Sequence, residues 1–108
     1  MTGSESQEDV WGNILGLTSG ILEKAKLGAW DEATALDSER RSLLEAFFNS
    51  PPQGELARRV TADILFIRES DRQVMELARQ MRTAIGEELH HLRQGHKAAG
   101  AYLEQSGE

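Results

Sequence analysis

Cysteine is absent from the 108 residues. That excludes a disulfide framework, a thiolate metal site and a thiol nucleophile, and it leaves nothing that points to an oxidising compartment. Proline occurs only at Pro51 and Pro52, so no other position carries the residue that forbids a helix outright. No apolar run approaches the roughly 18 residues that a membrane span needs. The opening residues, MTGSESQED, are acidic and polar, where a secretory leader is basic and then apolar. The expected location is therefore the cytoplasm. Positive charge is also scarce, with 12 Lys and Arg against 18 Asp and Glu and a net charge of −6. Residues 1 to 50 carry nine acids against four bases, and residues 51 to 108 carry nine against eight. Nucleic-acid backbones are held by concentrated basic surface, and here the bases are interleaved with acids, which argues against direct nucleic-acid binding.

What is present is the composition of a folded helical chain, 39% hydrophobic and 28% charged, unlike the charge-rich, aliphatic-poor composition of disorder. The length suits one core. Residues 1–7 read as a disordered tail and residues 8–108 as a single helical-bundle domain.

From Glu8 to Leu27 apolar residues recur at three-and-four spacing: Val10, Trp11, Ile14, Leu17, Thr18, Ile21, Leu22 and Ala25. This predicts a first helix. Lys24 and Lys26 suit its C-terminal dipole and Gly28 its C′ position. Gly12, Gly16 and Gly20 share one side of it, either to let another backbone come close or to leave the helix soft enough to shift when a partner arrives. A second helix is expected from Trp30 to Asn49, with Asp31 and Glu32 in its first turn and a stripe of Ala33, Leu36, Leu43, Leu44 and Phe47. Arg40 falls inside that stripe, where a guanidinium must find a carboxylate or carbonyls, or else snorkel. Trp30 is expected to be buried at the junction of these helices, against Leu27. The residues Asn49 to Gly54 then break the chain, because the two prolines stop a helix and disfavour one upstream.

The longest pattern follows: Val60, Ile64, Ile67, Asp71, Val74, Ala78, Met81, Ile85, Glu88 and Leu92 alternate steps of four and three. That is a heptad seam, and it predicts one helix from Glu55 to Gln94. At about 1.5 Å per residue it is twice as long as either earlier helix, so its second half outruns its partners. Asp71 sits in the seam, where a carboxylate either pairs, with Arg40 as the available mate, or is solvated because the seam widens. Gly95 precedes and Gly100 lies within the segment KAAGAYLEQ, which predicts a short fourth helix with a weak apolar side. The expected fold is all-α, an antiparallel bundle of three main helices, the third very long, followed by that short fourth.

Catalytic and metal constellations fail for want of parts. Glu88 and His91 have the i, i+3 spacing of carboxylate-bridged metal sites, but such sites need a second Glu-x-x-His and two further glutamates. His90, His91, His96, Arg93 and Lys97 otherwise suit a helix C-terminus, where cations are stabilised. Ser38, Ser42 and Ser70 have no positioned histidine. No phosphate loop is present, since the three early glycines lie within a helix. No enzyme is expected, and no cofactor.

The apolar stretch that outruns its partners is the feature expected of a helix-in-groove receptor. A segment of another protein is therefore expected to dock between the second and third helices, with Phe48 on one wall and Met81, Ile85, Leu89 and Leu92 on the other. Tyr102 and Leu103 are expected to cover that site weakly. A homodimer burying the same surface, as a structural adaptor, gives the same sequence pattern.

Lys26, Leu27, Gly28, Ala29, Trp30, Asp31 and Glu32 resemble the G-x-W-D/E junction between the first two helices of FliT-type flagellar export chaperones. Length, helix order, the Ser50, Pro51, Pro52 break and Ala101, Tyr102 also fit, so the resemblance covers residues 10 to 103. It implies a cytoplasmic chaperone without ATP hydrolysis that holds the C-terminal segment of the filament cap protein. It also implies contacts with the export ATPase complex and, in some bacteria, with the flagellar transcription regulator. In the family a C-terminal helix covers the binding surface until cargo displaces it.

Overall fold

The computed structural model describes residues 6–106, and in it every element is helical: α1 (Gln7–Lys26), α2 (Trp30–Phe48) and α3 (Gly54–Ser106). Residues 1–5 of the expected tail lie outside the described residues. Ser6 and Gln7 do not belong to a tail, because Ser6 caps α1, its Oγ accepting from the Asp9 N–H at 3.1 Å. Gln7 donates from its side chain to the Ser50 carbonyl, which ties the start of α1 to the loop between α2 and α3.

The α1 to α2 turn is set by Gly28. Its φ of 75° lies in the left-handed region, which costs a residue without Cβ nothing. There the Gly28 N–H donates to the Ala25 carbonyl at 3.0 Å and the Ala29 N–H to the Lys24 carbonyl at 2.9 Å, the Schellman pattern that satisfies orphan carbonyls. Gly54, with φ 62°, is the first residue of α3 after Pro51 and Pro52 and takes the left-handed conformation there without a Cβ clash.

Two compact units make up the chain, one up to Leu77 and one from Ala78 onward. In the first, Trp11, Ile14, Phe47 and Val60 form a buried cluster, with Val10, Leu15, Leu43, Leu44, Leu56 and Ile67 packed against it. Fully burying an aliphatic side chain such as Ile14 is worth about 1.5 to 3 kcal/mol. Partners descend along α2 as residue numbers rise along α1: Trp11 meets Phe47, Thr18 meets Arg40, Gly20 approaches Leu36 and Lys24 meets Glu32. On α3, Arg59 meets Glu8 at 3.5 Å and Asp63 accepts from the Trp11 indole at 2.8 Å.

Three expectations need correction. The fourth helix is not a separate element, because α3 runs without interruption through Gly95 and Gly100 to Ser106. Those glycines have no positive φ, and an interior glycine costs a helix about 1 kcal/mol without stopping it. Trp30 is half-buried and its expected neighbour Leu27 is 71% exposed; the Schellman turn leaves Leu27 facing out, so Trp11 carries the aromatic core instead. The glycine side of α1 is open at Gly12 and Gly16, and only Gly20 has a close neighbour, the Leu36 Cδ1, 3.3 Å from where a Cβ would stand.

Candidate functional site

In the second unit the heptad seam continues along α3 with nothing laid over it among the described residues. Every residue from Arg79 to Ala101 is exposed. Met81 is 36% exposed, Ile85 51%, Leu89 46% and Leu92 61%. Steps of four, four and three residues keep these side chains on one helix face, and Leu103 adds to the apolar surface further along. The side chain of Tyr102 lies outside the described residues. Because residues 95–106 prolong α3, Leu103 is exposed in this structure and is not folded back over the stripe.

Phe48 belongs to the first unit. It stands at the end of α2, 45% exposed, with its ring edge-on to Phe47 at 4.9 Å and to Trp11 at 6.4 Å. Such edge-to-face arrangements are favoured by the ring quadrupoles. One face of Phe48 is thus held by the core while the other meets solvent.

The first unit also contains a polar site which the sequence reading left open. The Arg40 guanidinium, 9% exposed, donates to Asp71 at 2.9 and 3.2 Å, to Asp37 at 2.9 Å and to the Thr18 hydroxyl at 3.1 Å. Thr18 in turn donates to the Ile14 carbonyl at 2.9 Å. Burial works against the Arg40 charge, but the hydrogen bonds and charges of Asp71 and Asp37 outweigh it and raise the pKa above its usual value. Arg40 is therefore a fixed cation, and this network joins α1, α2 and α3. A shallow groove beside it is lined by Ile21, Trp30, Ala33, Val74 and Met75.

Apolar side chains off the seam were not foreseen as exposed surface. Leu65 is 69% exposed, Phe66 45% and Met75 71%. Their departure from the four-three spacing is the only sequence signal for them. Among the described residues no group of three or more His, Asp or Glu side chains is placed to hold a metal ion.

A family model described as flagellar protein FliT matches residues 8–104. The chain belongs to the FliT family. The match takes in all of α2 and nearly all of α1 and α3, so the FliT junction at Gly28 and Trp30 and the Pro51, Pro52 break sit inside it as local features of one family fold. FliT proteins are flagellar export chaperones, and the uncovered stripe on α3 falls within the matched residues. No curated protein and no solved structure matches the chain. No helix among the described residues is long and apolar enough to cross a membrane.

Proposed function

We propose that this chain is a cytoplasmic, non-enzymatic flagellar export chaperone whose cargo is the helix-forming C-terminal segment of the filament cap protein. Cargo lies against Met81, Ile85, Leu89 and Leu92. The observation that supports this reading most is the continuation of the seam of α3 beyond Leu77 as exposed apolar side chains. Apolar anchors at i, i+4 and i+3 spacing are what an amphipathic helix needs from its receptor, and methionine suits a surface that adapts to the segment it takes. In this reading α1, α2 and the first part of α3 form an antiparallel bundle that acts as rigid support, and residues 8–108 work as a single domain. Contacts with the export ATPase complex, and with the flagellar transcription regulator, belong to the same reading.

Calorimetry with a peptide from the C-terminus of the cap protein tests it. The Ile85→Asp, Leu89→Asp double variant is expected to lose binding while its unfolding free energy in a urea melt changes by no more than about 1 kcal/mol, since exposed positions tolerate charge. Undiminished binding moves the site elsewhere, and binding lost together with the fold makes these residues core. The same exposed stripe also favours a second reading, a homodimeric adaptor without export cargo. Light scattering separates the two: a mass near the 12.0 kDa of one chain leaves the stripe free, and twice that mass favours the dimer.

A further inference from the structure

The charge along the second unit is arranged in a way that the apolar stripe alone does not explain. Between Glu88 and Glu104 there is no acidic residue, while Arg93, Lys97 and three histidines, His90, His91 and His96, fall in that interval. In a chain of net charge −6 this is the longest interval in the second unit in which only positive charge flanks apolar side chains. Leu89, Leu92, Arg93, His96 and Lys97 line one shallow groove on α3. Helical geometry puts Leu89, Leu92 and His96 on one face, with the seam position Glu88 on the far side of Leu92 and with Arg93 and Lys97, four apart, together along the Leu89 edge. Neither cation takes part in an ion pair among the described residues, whereas Lys24, Arg40, Arg41, Arg58, Arg59 and Arg72 all do.

We propose that this face takes an acidic amphipathic helix: a protein segment with apolar anchors over Leu89 and Leu92 and carboxylates along the edge that meets Arg93 and Lys97. The inference rests on the reading of the stripe as a partner site and adds the chemistry of the partner. Apolar contact supplies the affinity, and the one-sided cationic edge sets the orientation of the bound helix and rejects basic segments, because like charges at an interface oppose binding. A membrane surface fits less well. Polybasic anchoring uses clusters of about four to eight Lys or Arg, and this edge has two, with Glu87 and Glu88 just before it.

The test uses the full chain and two synthetic helical peptides of equal length with the same leucine positions, one flanked by glutamates and the other by lysines. Fluorescence anisotropy at low salt is expected to show the glutamate peptide bound about tenfold more tightly, two partly exposed charge pairs accounting for a change of that order. Raising the salt narrows the gap. Arg93→Glu with Lys97→Glu is expected to invert the preference, while Leu89→Asp with Leu92→Asp abolishes binding of both peptides. Equal affinity for the two peptides, no binding of either, or tighter binding to vesicles rich in anionic lipid than to the glutamate peptide would each overturn the proposal. These peptides are independent of the cap protein. A chain that binds the cap peptide yet ignores peptide charge keeps the proposed function and loses this inference; one that selects the glutamate peptide but not the cap peptide does the reverse.

Discussion

Arg40 on α2 holds Asp71 on α3 with both terminal nitrogens, Nη1 to Oδ1 at 2.9 Å and Nη2 to Oδ2 at 3.2 Å. The paired, bidentate geometry is the strong form of this contact. The guanidinium is buried and the carboxylate 39% exposed, so removing the acid leaves a cation with poor access to water.

Asp71→Ala is accordingly expected to destabilise the protein by about 1 to 3 kcal/mol, less than a fully buried pair because the carboxylate is partly solvated and Asp37 stays in place. Arg40→Met with Asp71→Leu is expected to recover most of that loss, since apolar replacements of both partners leave no charge stranded. Urea melts of the two variants read the difference. A cost below about 0.5 kcal/mol for Asp71→Ala would mean that solvent already satisfies Arg40.

Trp11 is 2% exposed and its indole N–H donates to Asp63 at 2.8 Å. Trp11→Ala is expected to cost about 3 to 5 kcal/mol, through a cavity among Ile14, Phe47 and Val60. Trp11→Phe keeps most of the apolar contact and loses the hydrogen bond, for a cost of about 1 to 2 kcal/mol. Chemical denaturation followed by circular dichroism gives both values, and a negligible cost for Trp11→Phe would deny the Asp63 bond any share.

Gly12 and Gly16 have open space where a Cβ would stand and ordinary helical φ. Gly12→Ala and Gly16→Ala are each expected to stabilise α1, by up to about 1 kcal/mol. Gly20→Ala gains less, because its Cβ would press on Leu36 Cδ1 at 3.3 Å. Thermal melts rank the three. If the two alanines stabilise the fold and weaken cargo binding, the glycines serve as softness in α1.

On α3, hydrogen bonds from Arg72 and then Gln73 lower the Glu69 pKa from 4.5 to about 2. A carboxyl whose folded pKa lies below its unfolded value contributes stability above the unfolded pKa, and that contribution fades as pH falls from about 4.5 towards 2. The side-chain carbonyl resonance of Glu69 is expected to titrate well below its usual value of 4.5 in an NMR series. Arg72→Ala, which removes the largest cause, should return it to the ordinary range.

Much of the fold was legible because helix formation is written in local spacing. Trp11, Ile14, Thr18, Ile21 and Ala25 recur on one side of α1, and all five are buried. Gly28 and the Pro51, Pro52 pair act on their own backbone, so the ends of α1 and α2 could be placed to within a residue or two. The Arg40 to Asp71 pair was reached as one of two options, because a charge within each apolar stripe demands a mate. Trp11 and Trp30 were harder to rank. Trp11 lies in the apolar stripe of α1 and Trp30 at the junction before that of α2, and their burial depends on how the helices approach, which spacing along one chain does not encode. The same holds for Ser70, off the seam yet 4% exposed, and for Leu65 and Phe66, which are exposed.

The sequence alone determined the helical class, the two breaks and the family, since propensity, punctuation and period each act within a few residues. Tertiary structure decided which tryptophan anchors the core, that Gly95 and Gly100 stay within α3, and that the stripe from Met81 to Leu92 stands exposed. These depend on what packs beside each helix, or on the absence of anything there. Burial is a property of neighbours far apart in the chain, and no local pattern fixes them.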